Sequence, residues 1–168
     1  MAGTRTSFAD HDCGFAQAIE RIGDQWSFLI IRNLFMGMTR FEDFVAHLSI
    51  SPKVLANRLQ RLTDEGLIAS HADESDGRAK IYELTDKGAD LGPIVGALTQ
   101  WGDRWVPKPG GARSEIFELA TGEAVARVAV VSKSGKMLSP DEIGHRTGPG
   151  GSRVRDELDQ LVAKRLEN

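Results

Sequence analysis

Two helical patterns follow one another in Phe41-Glu-Asp-Phe-Val-Ala-His-Leu48-Ser-Ile-Ser51-Pro-Lys-Val-Leu-Ala-Asn-Arg-Leu-Gln-Arg-Leu-Thr63, the stretch that decides the fold of this chain. In its first part, apolar side chains recur at positions 41, 44, 45 and 48, which is the spacing of one buried helical face. Thr39 and Glu42 form the pattern of a capping box that would begin this helix. Ser51 followed by Pro52 predicts the start of a second helix, because serine caps a helix and proline suits its first turn.

The second helix separates an apolar face from a polar one. Leu55, Leu59 and Leu62 form its inner stripe, and Ile50 lies where a hydrophobic staple onto Leu55 would begin. The outward and flanking positions carry side chains that suit DNA: Lys53, Val54, Asn57, Arg58 and Arg61. Two helices joined by a tight turn, the second of them basic on its outer face, predict a helix-turn-helix reader of DNA.

A charged hairpin is predicted directly after this helix. Residues 67–73 and 79–85 have partial strand alternation on either side of an Asp-Gly turn. A hairpin in this place is the wing of a winged helix, and Arg78 and Lys80 would be its cationic side chains. Taken alone, the hairpin is equally typical of an ordinary solvated surface turn. The order of the elements favours the wing.

Further motifs extend this pattern over residues 11–105. They are Cys13-Gly-Phe-Ala-Gln-Ala-Ile-Glu-Arg-Ile-Gly-Asp-Gln-Trp26, Arg40-Phe41, Ile50-Ser-Pro-Lys-Val-Leu55, Arg58-Leu59, Gly66-Leu-Ile68, Tyr82-Glu-Leu-Thr85 and Lys87-Gly88. In this combination the chain resembles the HxlR-type transcriptional regulators, bacterial winged helix-turn-helix dimers related to the MarR group. The resemblance implies a DNA-binding homodimer, acting as a repressor on a pseudo-palindromic operator. The wing departs from the family pattern, because Asp73-Glu-Ser-Asp76 makes its tip acidic.

Three more helices are predicted around the DNA-reading pair, at residues 14–22, 25–36 and about 86–105. The second is apolar nearly all round and should lie at the centre of the domain. The last has an apolar stripe that needs a further surface, either a second subunit or the C-terminal segment of the same chain. The resemblance implies a dimer interface formed by the first and last helices, with these residues: Phe15, Ile19, Leu91, Ile94, Leu98, Trp101 and Trp105.

Composition changes beyond the proline- and glycine-rich stretch 107–113. The sequence predicts an N-terminal arm (1–12), the winged helix-turn-helix domain (13–106), a linker (107–113) and a small α/β extension (114–168). The extension is expected to contain strands at 114–121 and 124–132 and a helix from about 153 to 166, whose inward face would be Val154, Leu158, Leu161 and Val162. The fold class is therefore α+β: a winged domain with flanking dimerisation helices and a small C-terminal extension.

The charge distribution favours a selective DNA-binding protein. The formal net charge is −3, and residues 1–106 hold 11 Lys and Arg against 15 Asp and Glu. Residues 51–63, however, contain three basic side chains and no acidic one. Because salt screens exposed charges beyond ~8–10 Å, the local field of this helix outweighs the total charge. An acidic remainder weakens non-specific binding and leaves discrimination to base contacts.

Other classes of protein are poorly supported. The apolar runs fall short of the ~20 residues of a membrane span, and the N-terminus lacks the apolar core of a signal peptide. With one cysteine, the chain fits the cytoplasm, at the nucleoid when bound to DNA. The four histidines are scattered, and neither a nucleophile elbow nor a dinucleotide fingerprint occurs, so no enzyme, cofactor or metal site is predicted. A winged helix that docks a protein is the rival interpretation; the basic outer face favours DNA.

The predicted contacts divide by function. Base edges in the major groove would meet Lys53, Val54, Asn57 and Arg58, because amide and cationic side chains read adenine and guanine. Phosphate contacts would come from Thr39, Arg40, Ser51 and Arg61. Arg78 and Lys80 of the wing would reach the adjacent backbone or a narrowed minor groove, where the negative potential is enhanced. The predicted partners are double-stranded DNA and a second copy of the chain, together with an oxidant or small-molecule effector.

Cys13 precedes the first helix, where backbone N–H groups and the helix dipole favour a thiolate. The resemblance adds that several HxlR-type members sense electrophiles or oxidants with a cysteine at this position. Sensing by Cys13 is one hypothesis. The alternative is that Cys13 is structural. DNA binding would then be controlled by a metabolite in a pocket at the dimer interface, near Trp101 and Trp105, or would have no effector.

Overall fold

The computed structural model describes residues 7–77, 79–152, 157, 159, 160, 163 and 164. Spatial proximity divides the chain into two units, one of residues 24–129 and one that joins the described residues before 24 to those after 129. The first helix and the C-terminal segment thus belong to one unit, and the domain limits read from the sequence stay a prediction. Among the described residues, no helix is long and apolar enough to cross a membrane.

The elements follow the predicted order along the chain. They are α1 (Gly14–Ile22), α2 (Gln25–Phe35), α3 (Phe41–Leu48), α4 (Pro52–Asp64), β1 (Ile68–Ala72), β2 (Lys80–Leu84), α5 (Asp86–Ala89), α6 (Gly92–Trp105) and a 3-10 turn (Pro140–Glu142).

Helix α2 lies at the centre of the unit 24–129, as its apolar composition predicts. It contacts α3, α4, β2 and α6, and Ile30 and Ile31 are fully buried. Leu34 of α2 is also buried, and the rest of the core comes from the segments that follow it: Phe44, Ile50, Leu55, Leu59, Leu62, Leu67 and Ile68. Fully burying one such side chain contributes about 1.5–3 kcal/mol, so this cluster holds the helix pair in place.

The wing is a two-stranded antiparallel sheet. Its register runs from Ile68 opposite Leu84 to Ala72 opposite Lys80. The chain before α3 adds a short third edge, because Arg40 forms a bridge with Ile81, and the Tyr82 N–H donates to the Thr39 carbonyl at 2.9 Å.

This edge corrects the predicted start of α3. The N-cap is Arg40 rather than Thr39, and no side chain caps the helix. Thr39 and Arg40 are extended because their backbone pairs with β2, so Thr39 is not placed to form a capping box with Glu42. Tertiary pairing has overridden a local signal.

The long helix predicted at 86–105 is in fact two helices, α5 and α6. Pro93 explains the break, because proline inside a continuous helix would lack a donor and clash with the preceding turn. The second helix instead begins with this proline in its first turn. Gly88 fits α5 closely under the wing, since a Cβ there would lie 2.0 Å from the Leu67 carbonyl oxygen.

The strands predicted at 114–121 and 124–132 do not form. All these residues are described, and they contain one bridge within the unit, between Phe117 and Ala124, and a second from Val131 to Met137. The chain turns between the two bridged positions, with Gly122 at a φ of 72°. Backbone groups of this segment bond instead to the Gln100 side chain of α6. The Gln100 Oε1 accepts from the Val128 N–H at 2.8 Å, and its Nε2 donates to the Val125 carbonyl at 3.4 Å.

In the other unit, α1 begins and ends as predicted, but the described part of the arm is tied to it. The Gln17 side chain donates to the carbonyls of Phe8, Ala9 and His11 at 2.7–3.1 Å. In the C-terminal segment, residues 157, 159, 160, 163 and 164 are helical. The predicted inward face of that helix (Val154, Leu158, Leu161 and Val162) lies outside the described residues.

Candidate nucleic-acid interface

Helix α4 is fixed at its start and along its inner face. The Ser51 Oγ accepts from the Val54 N–H at 3.3 Å, with Pro52 in the first turn. Leu55, Leu59 and Leu62 are at most 2% exposed. The cap sets where the helix begins, and the buried leucines set its rotation about its own axis. Together they determine which residues face outward, because the apolar side must stay against the core.

The outward face of α4 brings together the predicted base-reading residues. Lys53 and Asn57 are exposed, Val54 and Arg58 are half-buried beside them, and Arg61 is half-buried one turn beyond Asn57. The helix extends one residue further than predicted, so Asp64 lies in its last turn. Residues 52–63 of α4 themselves include no acidic side chain.

Arg58 has a carboxylate partner that the sequence did not reveal. Its Nε lies 2.9 Å from Asp24 Oδ1 as an ion pair, without the alignment of a hydrogen bond. Asp24 also caps α2, since its Oδ1 accepts from the N–H groups of Trp26 and Ser27, each at 3.1 Å. Asp24 before a helix signals a cap, but its pairing with Arg58 requires the fold. Arg58 is thereby restrained at the edge of the recognition face.

Arg40 also has a carboxylate partner, at the base of the wing. Its Nη2 lies 2.5 Å from Asp73 Oδ2 and donates to Ser75 Oγ at 3.0 Å. Asp73 is only 6% exposed, which corrects its predicted place at the acidic tip. Hydrogen bonds from Ser75 lower the pKa of Asp73, and Arg40 lowers it further.

The remaining wing residues are placed as follows. Lys80 is exposed at the start of β2, opposite Ala72. The Ala79 N–H donates to the Asp76 carbonyl at 2.8 Å, closing the Asp-Gly turn. Glu74 is exposed. Arg78 lies outside the described residues.

A second exposed surface, the α6 stripe, consists of Ile94, Leu98, Trp101 and Trp105. These side chains are 45–63% exposed. The other side of α6 is covered within the chain, because Gly96 is buried near Val128 and Ile116, and Gly92 lies against Phe35. Two residues of the C-terminal segment, Ile116 and Val128, therefore cover the Gly96 side of α6, and the surface that covers the α6 stripe stays a prediction. Of the other predicted interface residues, Leu91 is half-buried at the N-cap of α6, Phe15 is 77% exposed and Ile19 is half-buried.

A cleft of about 570 Å³ separates the end of α6 from residues 112–128. Trp101, Trp105 and Arg127 are among its lining residues, and the Arg104 guanidinium lies 5.1 Å from the Trp105 ring centroid. Asp103 holds the segment to the helix, accepting from the Arg113 backbone at 3.1 Å and its guanidinium at 3.3 Å. These bonds lower the pKa of Asp103.

Cys13 is the N-cap residue of α1, as predicted, and is half-buried. It lines a cavity of about 710 Å³ together with Asp12, Phe15 and residues 145–151. The glycine-rich stretch 148–151 ends next to a contact with the arm, because the Ser152 N–H donates to Asp12 Oδ2 at 2.6 Å. His145 and Arg146 line the same cavity as the Cys13 thiol. The sequence did not indicate that these residues would lie near Cys13.

The capped helix α4 packs with α2 and α3 and is followed by a two-stranded wing. This arrangement defines a winged helix-turn-helix DNA-binding protein, in which α4 is the recognition helix. Residues 21–109 match the model of the HxlR-like helix-turn-helix family. The chain belongs to this family, whose members are transcriptional regulators.

Individual relatives agree. The uncharacterized HTH-type transcriptional regulator Rv3095 of Mycobacterium tuberculosis is 31% identical over 134 residues, 80% of this chain and 85% of its own. The crystal structure of PA1607, described as a candidate transcription factor, is 33% identical with a TM-score of 0.75, over 86% of this chain and 99% of that one. The oxidized redox regulator HypR is 26% identical with a TM-score of 0.50, over 55% and 96%. Because 134 residues cannot fit within positions 1–113, the mycobacterial match includes part of the extension at 114–168.

Proposed function

We propose that this chain is a repressor that binds a pseudo-palindromic operator as a two-fold homodimer. The observation that carries the proposal is the outward face of α4, where Lys53, Asn57 and Arg58 stand together on a helix with a fixed rotational setting. Such side chains discriminate bases in the major groove by direct hydrogen bonds. Val54 would add an apolar contact with a thymine methyl group.

Phosphate contacts would surround this face. Ser51 and the N-terminus of α4 suit a phosphate because unpaired N–H groups and the helix dipole attract anions. Thr39, Arg40 and Arg61 would make further phosphate contacts, and Lys80 with Arg78 would extend them along the wing. Phosphate contacts fix the register of the protein on the duplex and leave sequence choice to α4.

Dimerisation would use the α6 stripe, and Leu91, Phe15 and Ile19 are the further predicted interface residues. Exposed Trp101 and Trp105 are suited to this, because aromatic anchors dominate the binding energy of interfaces. Two-fold symmetry places the two α4 helices in half-sites about one helical turn, ~10 base pairs, or a multiple of it apart. A dimer bound across a promoter in this way would exclude polymerase.

Selection of duplexes from a random-sequence pool by the wild-type protein tests the proposal. We expect an enriched inverted repeat, bound with a strong dependence on salt concentration. Arg58→Ala should weaken binding to that repeat by ~1–3 kcal/mol if Arg58 reads a base. An equal loss on unrelated DNA would make Arg58 a phosphate anchor, and a pool without enrichment would contradict operator recognition altogether.

We further propose that Cys13 regulates DNA binding. Its place at the N-cap of α1 favours the thiolate, and Arg146 and His145 line the same cavity. The relative HypR is described as a redox regulator, which supports the same role here. A lone cysteine would respond by an adduct or a bond to another thiol. Operator binding before and after diamide should change for the wild type and stay constant for Cys13→Ser; equal responses would make Cys13 structural.

The cleft beside α6 favours a second candidate, control by a metabolite. It has the volume of a small-molecule site and combines indole rings with the guanidinium of Arg127. Its position next to the α6 stripe would let a ligand alter dimer packing. A metabolite that quenches tryptophan fluorescence and releases operator would support this candidate, provided that Trp105→Ala abolishes both effects.

A further inference from the structure

Three side chains from different parts of the sequence meet at the base of the wing. Arg40 precedes α3, Asp73 directly follows β1, and Ser75 lies in the connection between β1 and β2. Asp73 Oδ1 accepts from the Ser75 N–H at 2.8 Å and from Ser75 Oγ at 2.7 Å. Asp73 Oδ2 lies 2.5 Å from Arg40 Nη2, which also donates to Ser75 Oγ at 3.0 Å. We call Arg40, Asp73 and Ser75 the wing clamp.

The backbone supports the same junction. Arg40 forms a bridge with Ile81 of β2, and the Asp73 N–H donates to the Ala79 carbonyl at 3.0 Å. The carboxylate thus lies where the entry to α3 and both strands of the wing come together. It is nearly inaccessible to solvent, whereas the Arg40 side chain remains 46% exposed. In the wing clamp, the buried Asp73 carboxylate therefore orients an arginine side chain that is exposed at the surface.

We propose that Asp73 is a positioning residue for selective DNA binding. It fixes the wing against the N-terminus of α3 and sets the direction in which the Arg40 guanidinium meets the DNA backbone. This inference rests on the proposed operator binding. A contact that is ordered before binding costs less conformational entropy on association. At the same time the carboxylate offsets the charge of Arg40, which lowers its attraction for DNA of any sequence.

Glu74, one residue further, provides the contrast. Its side chain is exposed, and the described part of the chain offers it no hydrogen bond or ion pair. Its carboxylate can act on DNA only through repulsion. Two acidic neighbours thus differ in one respect, whether the carboxylate is built into the wing.

The two roles predict opposite results for the same change of charge. If Asp73 only repels DNA, Asp73→Asn should bind operator and unrelated duplex more tightly, as Glu74→Gln should. If Asp73 positions the wing, Asp73→Asn should lose affinity for operator while its affinity for unrelated DNA is unchanged or higher. A variant that is merely less folded would lose both affinities by the same factor.

The experiment measures dissociation constants of wild type, Asp73→Asn and Glu74→Gln for the selected operator and for an unrelated duplex of equal length. We expect the operator preference of Asp73→Asn to fall by about tenfold, because the ion pair with Arg40 is lost and the hydrogen bonds from Ser75 no longer have a charged acceptor. The preference of Glu74→Gln should stay within about twofold of the wild type, since screened surface charges act alike on both duplexes. Equal preferences in the two variants would overturn the inference.

Ser75→Ala keeps both charges and removes only the hydroxyl from the clamp. It should reduce operator preference in the same direction as Asp73→Asn but by less, and it decides the matter if Asp73→Asn does not fold. An unchanged preference in a folded Ser75→Ala protein would then overturn the inference. A wild-type protein without operator preference would instead refute the proposed function, which separates the two failures.

Discussion

Helices α4 and α6 have 13 and 14 residues, and each has a proline in its first turn, yet they present opposite chemistry to solvent. α4 buries three leucines in its own unit and exposes lysine and amide groups. α6 buries a glycine and exposes two tryptophans, a leucine and an isoleucine. The apolar face of α4 is buried in its own unit, so its polar face is available to bind a polyanion. Helix α6 instead keeps an apolar surface exposed to water, which is unfavourable.

The largest expected effect comes from the inner face of α4. Leu59→Ala should lower the free energy of unfolding by ~2–5 kcal/mol, because a fully packed site loses its contacts and leaves a cavity. Leu98→Ala on α6 is the matched control, since its side chain is half exposed, and should cost under ~1 kcal/mol in dilute protein. Urea denaturation measures both. Similar losses in the free energy of unfolding would contradict the difference in burial between Leu59 and Leu98.

The next effect concerns the α6 stripe. Leu98→Glu should weaken self-association by ~30-fold or more, because it places a charge in the centre of the proposed apolar interface. Leu119→Glu makes the same substitution at a leucine that is 91% exposed and lies outside the α6 stripe. That control should leave the oligomeric state unchanged in sedimentation equilibrium. Association that survives Leu98→Glu would exclude α6 as the dimer surface.

On the outer face of α4, Asn57→Ala should weaken operator binding by ~1–3 kcal/mol and change binding to unrelated DNA little, because an amide reads adenine. Gln60→Ala is the control, as Gln60 is exposed on the same helix and donates to Asp64 at 2.8 Å. Electrophoretic mobility shifts with both duplexes separate the outcomes. Should Gln60→Ala cost as much as Asn57→Ala, the recognition face would have to be redrawn.

The smallest effect is a dependence of stability on pH. The pKa of Asp103 is lowered in the folded chain, first by the hydrogen bond from the Arg113 backbone. Its stabilising contribution is therefore present above the unfolded pKa of ~3.9 and is lost as pH falls through the lower folded value. The stability difference between wild type and Asp103→Asn should be constant from pH 7 to 5 and shrink below pH 4. Thermal melts of the two proteins across this pH range measure the difference, and a difference that stays constant below pH 4 would contradict the prediction.

The parts of the interface that could be read in advance are those with short-range causes. Ser51, Pro52 and the leucine stripe of α4 were predicted with the correct roles, because capping and helical periodicity act within a few residues. The Thr39 capping box and the strands at 114–132 were wrong. In both cases, backbone groups found partners elsewhere in the fold, on β2 and on Gln100.

By itself, the sequence determined the order of helices and wing, the basic face of α4 and the family to which the chain belongs. The tertiary structure decided which charges those surfaces present. Arg40 and Arg58 are each paired with a carboxylate more than thirty residues away along the chain, and α6 is covered on its Gly96 side by residues beyond position 112. Periodicity records which face of an element is apolar. It does not record which distant segment meets that face, because that depends on how all the elements pack together.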